Sequence, residues 1–150
     1  MKVLISSCLL GKNVKYSGGN NFSKKILELL KKYNVDIVEV CPEVLGGLTI
    51  PREPAEIVND EIINRKGISV SKEFKKGAES TLKIAILSKV NFAILKERSP
   101  SCGKNFIYDG SFSGSLIRGQ GISTRKLLEN GIEVFSEEEI DKIEKKLKEL

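Results

Sequence analysis

The three cysteines are the side chains best suited to chemistry in this 150-residue sequence, and each follows an apolar run that favours a β-strand. Cys8, Cys41 and Cys102 all lie at or shortly after the end of such a run. Ligands of an open α/β sheet bind outside the carboxyl ends of its strands, so residues far apart in sequence can meet there. We therefore expect the three thiols to share one crevice.

The residue types narrow the chemistry of such a site. The sequence has no histidine, which excludes Ser-His-Asp, Cys-His and His-zinc arrangements and leaves Asp, Glu, Lys, Tyr, Cys or water as acid or base. Three cysteines complete a tetrahedral zinc site only with an added carboxylate. On an iron–sulfur cluster they would leave one iron without a protein ligand. The spacing of the cysteines does not distinguish a zinc site from an iron–sulfur cluster. It is also compatible with the alternative that each cysteine is a small buried hydrophobe.

Short strand-like runs alternate with helical patterns, which is typical of a parallel sheet covered by helices. We predict strands over residues 2–6, 36–40, 92–95 and 132–135. Helices are predicted over residues 22–33, 71–90, 123–130 and 136–150. The expected fold class is α/β, a single-domain, three-layer Rossmann-like sandwich with a mainly parallel sheet of about four to five strands. We expect residues 1–150 to form one domain.

Polar residues and glycine mark the predicted helix ends. Asn21 or Ser23 is expected to cap the first helix and Ser71 the second. Gly131 is a natural C-terminal cap for the third. The segment 136–139 reads as a capping box that opens the last helix.

Two long stretches, residues 42–56 and 97–121, interrupt this alternation and are rich in Gly, Pro, Ser and Asn. Structureless stretches of this length are uncommon in a compact domain unless they serve a function. We therefore expect them to form the working surface.

Charge and hydropathy restrict the kinds of partner that we expect this protein to bind. No apolar run approaches the roughly 20 residues that span a bilayer, and no secretion signal is visible, so we expect a cytoplasmic protein without membrane contact. The net charge is +5 and only 6% of residues are aromatic, which disfavours nucleic-acid binding as the main role. A small molecule is the expected partner, and the sequence sets no oligomeric state.

Six segments of the sequence together resemble a family that was long labelled a domain of unknown function and that includes the thiouracil desulfidases. In chain order they read SCLLG (7–11), YSGG (16–19), CPEVLGGL (41–48), PREPAE (51–56), LKERSPSCG (95–103) and YDG (108–110). The resemblance covers almost the whole chain. It implies an enzyme that removes sulfur from a thiolated pyrimidine, such as 2-thiouracil or a related nucleobase or nucleotide, giving the oxo form and sulfide without net redox change.

The same resemblance implies a 4Fe-4S cluster on Cys8, Cys41 and Cys102, with the fourth iron open to bind the sulfur of the substrate. Hydrolytic desulfuration also needs a base for the attacking water. Glu43, two residues after Cys41, is the predicted base. The resemblance implies Ser101 as its hydrogen-bonding partner or proton relay.

Other residues are candidates for binding the substrate. Gly46 and Gly47 allow a close backbone approach, and Arg52 could bind a pyrimidine carbonyl or a phosphate. The alternative for Arg52 is a salt bridge that fixes its loop. Tyr16 precedes the first helix and could stack on the base.

Three consecutive charged residues where the second long stretch begins are candidates to brace the loop of Cys102, namely Lys96 just before it and Glu97 and Arg98 within it.

Two other functions remain as alternatives. The first is a cluster-free thiol or persulfide enzyme with Cys102 as nucleophile, which needs a lowered thiol pKa, plausible near Lys104. The second is a nucleotide- or RNA-binding module in which the cysteines hold a structural metal.

Overall fold

The structure, a computed structural model that describes residues 1–150, contains eight β-strands and five α-helices. The strands are Lys2–Ser6 (β1), Asp36–Val40 (β2), Ala55–Val58 (β3), Glu61–Asn64 (β4), Phe92–Leu95 (β5), Phe106–Tyr108 (β6), Leu116–Arg118 (β7) and Val134–Ser136 (β8). The helices are Lys24–Lys32 (α1), Pro42–Leu45 (α2), Ser71–Ser88 (α3), Ile122–Glu129 (α4) and Ile140–Glu149 (α5).

Four parallel strands form the central sheet in the order β2-β1-β5-β8. Along the chain, β2 is added on one side of β1, and β5 and β8 are then added on the other side. The strand order therefore reverses direction at β1. In open α/β sheets a ligand crevice forms at such a reversal, at the carboxyl ends of the strands. The predicted α/β class with a mainly parallel sheet is confirmed.

Each face of the sheet has its own apolar core, because successive side chains of a strand point to opposite sides. Val3 and Ile5 of β1 belong to one core, and Leu4 belongs to the other. The first core is completed by α1 and α5 through Ile26, Leu29, Leu30, Ile143 and Leu147. The second is completed by α3 and α4 through Ala85 and Leu127. Helices thus cover both faces of the sheet, in three layers.

The predicted fourth strand and two of the predicted helix starts need correction. The strand runs over Val134–Ser136 instead of 132–135, because the N–H of Ile132 still donates to Leu127 O at 3.0 Å and closes α4. Ser71 is the first residue of α3 and not its cap, since its hydroxyl accepts from the N–H of Ile62 at 2.8 Å.

The last helix begins at Ile140 and not at residue 136, because Ser136 ends β8. The paired contacts of a capping box still form, with Ser136 N–H donating to Glu139 Oε1 at 2.9 Å and Glu138 N–H donating to Ser136 Oγ at 3.0 Å. At the first helix, Ser23 caps α1 as predicted and accepts from Ile26 N–H at 3.3 Å.

The two stretches expected to be irregular contain short elements that the sequence analysis missed. Residues 42–56 contain α2 and the start of the antiparallel hairpin β3–β4. Residues 97–121 contain the antiparallel hairpin β6–β7. Asn59 and Asp60 connect β3 to β4 with φ of 49° and 66°, the geometry of a two-residue hairpin turn.

No helix combines the length and the apolar composition that crossing a membrane requires.

Candidate active site

A cavity of about 400 Å³ lies at the carboxyl ends of the neighbouring strands β1, β2 and β5, and all three cysteines line it. Cys41 directly follows β2. Cys8 lies in the 3-10 turn Ser7–Leu10 after β1, and Cys102 lies in the loop after β5. The sheet thus brings together thiols from three distant parts of the chain.

Local geometry explains the position of the first two cysteines. The turn that carries Cys8 ends at Gly11, whose φ of 91° lets its N–H donate to Cys8 O at 3.2 Å. Cys41 is the N-terminal cap residue of α2, and Pro42 starts that helix. Cys8 and Cys41 therefore each lie at the junction between a strand and a helical turn.

Burial favours the protonated form of all three thiols. Cys102 is only 4% exposed, and burial raises the pKa of its thiol to about 12. Burial also raises the pKa values of Cys8 and Cys41. Lys104, which could have lowered the thiol pKa, is paired with Glu139 at 3.1 Å. These surroundings disfavour Cys102 as a free thiolate nucleophile.

Glu97 shapes the loop that carries Cys102. The buried carboxylate accepts from the backbone N–H groups of Lys104 at 2.7 Å and Asn105 at 2.9 Å, and from Asn105 Nδ2 at 2.9 Å. Burial by itself raises the pKa of Glu97, but these donors and the N–H of Phe106 outweigh it and hold the pKa below its usual range. Glu97 thus braces the loop as an ionised group, as expected for this charged stretch.

The carboxylate of Glu43 lines the cavity, and each of its oxygens has a different partner. Arg52 Nε donates to Oε1 at 3.1 Å. Ser101 Oγ donates to Oε2 at 2.8 Å and lies 3.6 Å from Cys102 Sγ. The two residues predicted to be catalytic, Glu43 and Ser101, are therefore in direct contact beside one of the three thiols.

Arg52 forms the salt bridge that was the alternative to substrate binding, while its side chain also lines the cavity. Its other nitrogens donate to Val14 O at 2.9 Å and Thr49 O at 3.2 Å. Three of the five guanidinium N–H groups are thus engaged. Tyr16 also lines the cavity and is 45% exposed.

The structure does not bring Gly46 and Gly47 to the cavity, because neither is among the residues that line it. Gly46 lies where α2 crosses α3, and a Cβ at this position would stand 2.0 Å from the carbonyl oxygen of Glu73. Gly47 follows with φ of 96° in the turn that leaves α2. Gly46 therefore permits the helix crossing that holds Glu43, and Gly47 permits the turn.

Two further polar residues of the cavity were missed by the sequence analysis. Ser99 Oγ accepts from the N–H groups of Ser101 at 3.0 Å and Cys102 at 3.1 Å. Glu56, 8% exposed, accepts from the N–H groups of Gly110 at 3.0 Å and Phe112 at 3.1 Å, which holds the β6–β7 loop against the cavity. The only local feature of the sequence that pointed to Ser99 was the arrangement of Ser99 and Ser101 on either side of Pro100.

Comparison with known proteins places the chain in a family. A family model described as 2-thiouracil desulfurase matches residues 3–139. The uncharacterized protein YbbK of Bacillus subtilis (strain 168) is 40% identical over 151 residues, which cover 94% of this chain and 99% of that protein. The solved structure of the 4Fe-4S-dependent thiouracil desulfidase TudS (DUF523Vcz) matches with a TM-score of 0.92 and 38% identity, covering 99% of each chain. The cavity lined by three cysteines thus belongs to a member of the 2-thiouracil desulfurase family, as the sequence motifs predicted.

Proposed function

We propose that this chain is a desulfidase that replaces the sulfur of a thiolated pyrimidine with oxygen and releases sulfide, with no net redox change. Water supplies the oxygen to the ring carbon, and the carbon–sulfur bond breaks. The substrate is 2-thiouracil or a related thiolated nucleobase or nucleotide. The observation that carries the proposal is the contact between Glu43 and Ser101 in the cavity that the three cysteines line. Membership of the family supports it.

The donor set fits an iron–sulfur cluster better than a single metal ion. No three cysteine or carboxylate side chains stand close enough together to hold one ion, whereas a cluster bonds each thiolate to a different iron. Cys8, Cys41 and Cys102 would hold a 4Fe-4S cluster. Held by three protein ligands, such a cluster would have one iron without a protein ligand, and it would supply a Lewis acid for the thiocarbonyl sulfur of the substrate.

Glu43 acts as the base for the attacking water. Arg52 holds Oε1, so the carboxylate is fixed in place while Oε2 receives the Ser101 hydroxyl. Ser101 stands between this oxygen and Cys102 Sγ, so its hydroxyl lies beside one of the three thiols proposed to hold the cluster. A base that is already oriented avoids the entropic cost of ordering it during the reaction.

The cavity orients the ring. Its volume of about 400 Å³ lies at the small end of the range for ligand sites, about 300–1,000 Å³. Tyr16 offers an aromatic face, and the two unengaged N–H groups of Arg52 offer donors to a ring carbonyl. Both side chains reach the cavity from the loops between β1 and β3.

We treat residues 1–150 as one desulfidase domain, because the family model and both relatives align along nearly the whole chain. We place the reaction in the cytoplasm, where thiols stay reduced.

The proposal is tested by measuring iron and acid-labile sulfide on protein purified without oxygen, with and without reconstitution, followed by sulfide release from 2-thiouracil. We expect about four iron and four sulfide per chain, with uracil and sulfide formed in equal amounts. The unreconstituted, chelator-treated protein is the control and should release none. Absence of iron after reconstitution, or a loaded protein inert towards thiolated pyrimidines, would contradict the proposal.

A further inference from the structure

The hydroxyl of Ser99 has a hydrogen-bonding environment that fixes where its hydrogen points. A hydroxyl has one hydrogen and two lone pairs. Both lone pairs of Ser99 Oγ are used, because it accepts from Ser101 N–H at 3.0 Å and from Cys102 N–H at 3.1 Å. Its single hydrogen is therefore the only part left for a further partner.

Distances decide between the two acceptors within reach. Ser101 Oγ lies 2.7 Å from Ser99 Oγ, whereas Glu43 Oε2 lies 3.5 Å away. Hydrogen bonds between two oxygens fall at about 2.5–3.0 Å, so the hydrogen of Ser99 goes to Ser101 Oγ.

The hydrogen of Ser101 must then point away from Ser99. Its two candidate acceptors are Glu43 Oε2 at 2.8 Å and Cys102 Sγ at 3.6 Å. A carboxylate oxygen at the shorter distance is the stronger acceptor. The hydrogen bonds thus run in one direction, from Ser99 to Ser101 to Glu43, with Arg52 holding the far oxygen of the carboxylate.

We propose that Ser99 is a positioning residue that fixes this direction, so that Ser101 passes protons to Glu43. This inference rests on the proposed desulfuration. The second lone pair of Ser101 Oγ is free to accept a hydrogen from water in the cavity. As that water attacks, its proton moves to Ser101 Oγ, the original Ser101 proton moves to Glu43 Oε2, and the remaining hydroxide bonds to the ring carbon while the π electron pair of the C=S bond moves to sulfur. Formation of the carbon–oxygen double bond then breaks the carbon–sulfur bond, and the sulfur leaves as hydrosulfide with the proton of the added hydroxyl. Ser99 keeps its hydrogen throughout.

Neutron diffraction on deuterated crystals of the cluster-loaded enzyme tests the direction itself. The expected nuclear density places deuterium of Ser99 towards Ser101 Oγ and deuterium of Ser101 towards Glu43 Oε2. A Ser101 deuterium that points to Ser99 or to Cys102 would overturn the proposal. Because this measurement needs no turnover, it tests the direction of the hydrogen bonds independently of the proposed activity. An enzyme that releases no sulfide would refute the desulfuration, whatever the nuclear density shows.

Two variants of the loaded enzyme test the consequence for catalysis. In Ser99→Ala we expect kcat to fall about tenfold to a hundredfold, with KM changed by less than about twofold. Ser99→Thr retains the hydroxyl and should restore most of kcat. Iron content is measured in both. An unchanged kcat in Ser99→Ala, failure of the threonine to rescue at matched iron content, or a loss of iron that accounts for all of the lost activity would each overturn the proposal.

Discussion

Arg52 Nε donates to Glu43 Oε1 at 3.1 Å and thereby ties the loop after α2 to the carboxylate of that helix. The two side chains are only 7% and 17% exposed. A buried charge that loses its partner is costly, so this pair stabilises the loop as well as orienting the carboxylate. The same guanidinium fastens the loops of Val14 and Thr49.

Arg52→Lys should lower the free energy of unfolding by about 1–3 kcal/mol, because one ammonium group cannot serve Glu43, Val14 and Thr49 in the fixed fork geometry of a guanidinium. Urea denaturation at neutral pH measures the change. Arg125→Lys is the matched control, since Arg125 is exposed on α4 and forms no ion pair. Equal effects of the two substitutions would contradict the role of Arg52.

Cys8→Ala, Cys41→Ala and Cys102→Ala should each lose the iron–sulfur cluster, because two thiolates do not hold it stably. Iron and acid-labile sulfide per chain after reconstitution provide the measurement. Ser123→Ala is the control, because it removes a buried hydroxyl that has no hydrogen-bond partner. Full iron content in any one of the cysteine variants would remove that residue from the ligand set.

Glu43→Gln should keep its iron and lose turnover by at least about a hundredfold, since the amide cannot take the proton of the attacking water. Sulfide release under saturating substrate gives kcat. Glu53→Gln provides a control, because Glu53 lies outside the cavity lining and pairs with Lys66 at 3.6 Å. Turnover at the wild-type rate in Glu43→Gln would assign the base elsewhere.

Gly46→Ala should destabilise the chain by at least about 1–3 kcal/mol, the usual cost of overpacking. The added Cβ would stand 2.0 Å from the carbonyl oxygen of Glu73, which belongs to the backbone of α3 and cannot turn aside. Gly19→Ala is the control, because its nearest contact would be an ordinary 3.5 Å. Thermal unfolding compares the two, and similar melting temperatures would refute the close helix crossing.

Glu139→Gln should reveal a stability contribution that depends on pH. Burial raises the pKa of Glu139, but the N–H of Ser136 and the ammonium groups of Lys142 and Lys104 outweigh it and lower the pKa from 4.5 to about 2. A carboxyl whose pKa is lower in the folded state stabilises the fold above its ordinary pKa and loses this effect as pH falls through the lowered value.

The difference in unfolding free energy between wild type and Glu139→Gln should therefore stay constant from about pH 7 to 5 and shrink from about pH 4.5 towards 2. Urea denaturation followed by circular dichroism gives the values. Glu79→Gln, on the exposed surface of α3, should show no such trend. A difference for Glu139→Gln that does not depend on pH would contradict the charged network.

The central sheet could be predicted because β1 and β5 contain continuous apolar runs and β2 is rich in Ile and Val, and these three strands begin and end at the predicted residues. The hairpin β6–β7 could not, since its strands have three residues each and all of β7 is exposed, so no alternation marks it. In β3–β4 the turn residues Asn59 and Asp60 carried a usable signal that was not recognised.

The candidate site, like the fold, could be predicted only in part from the sequence. The meeting of the cysteines follows from strand ends that share one edge, which a sequence pattern can indicate. The contact of Glu43 with Ser101 joins residues 58 positions apart and depends on loop paths that no local periodicity encodes. The resemblance to the family pointed to both residues. Ser99 and Glu56 also lie in segments that carry the resemblance, but no role was assigned to them, because their roles lie in contacts with backbone N–H groups.

The order of the strands also sets the time at which the cavity is completed during translation. Cys8 and Cys41 follow β1 and β2, which leave the ribosome first. The other neighbour of β1 is β5, which is separated from β2 by the β3–β4 hairpin and by α3. The third thiol therefore joins the first two only after residue 102 has been synthesised and β5 has paired with β1. Any group that needs all three thiols can bind only after residue 102 has left the ribosome.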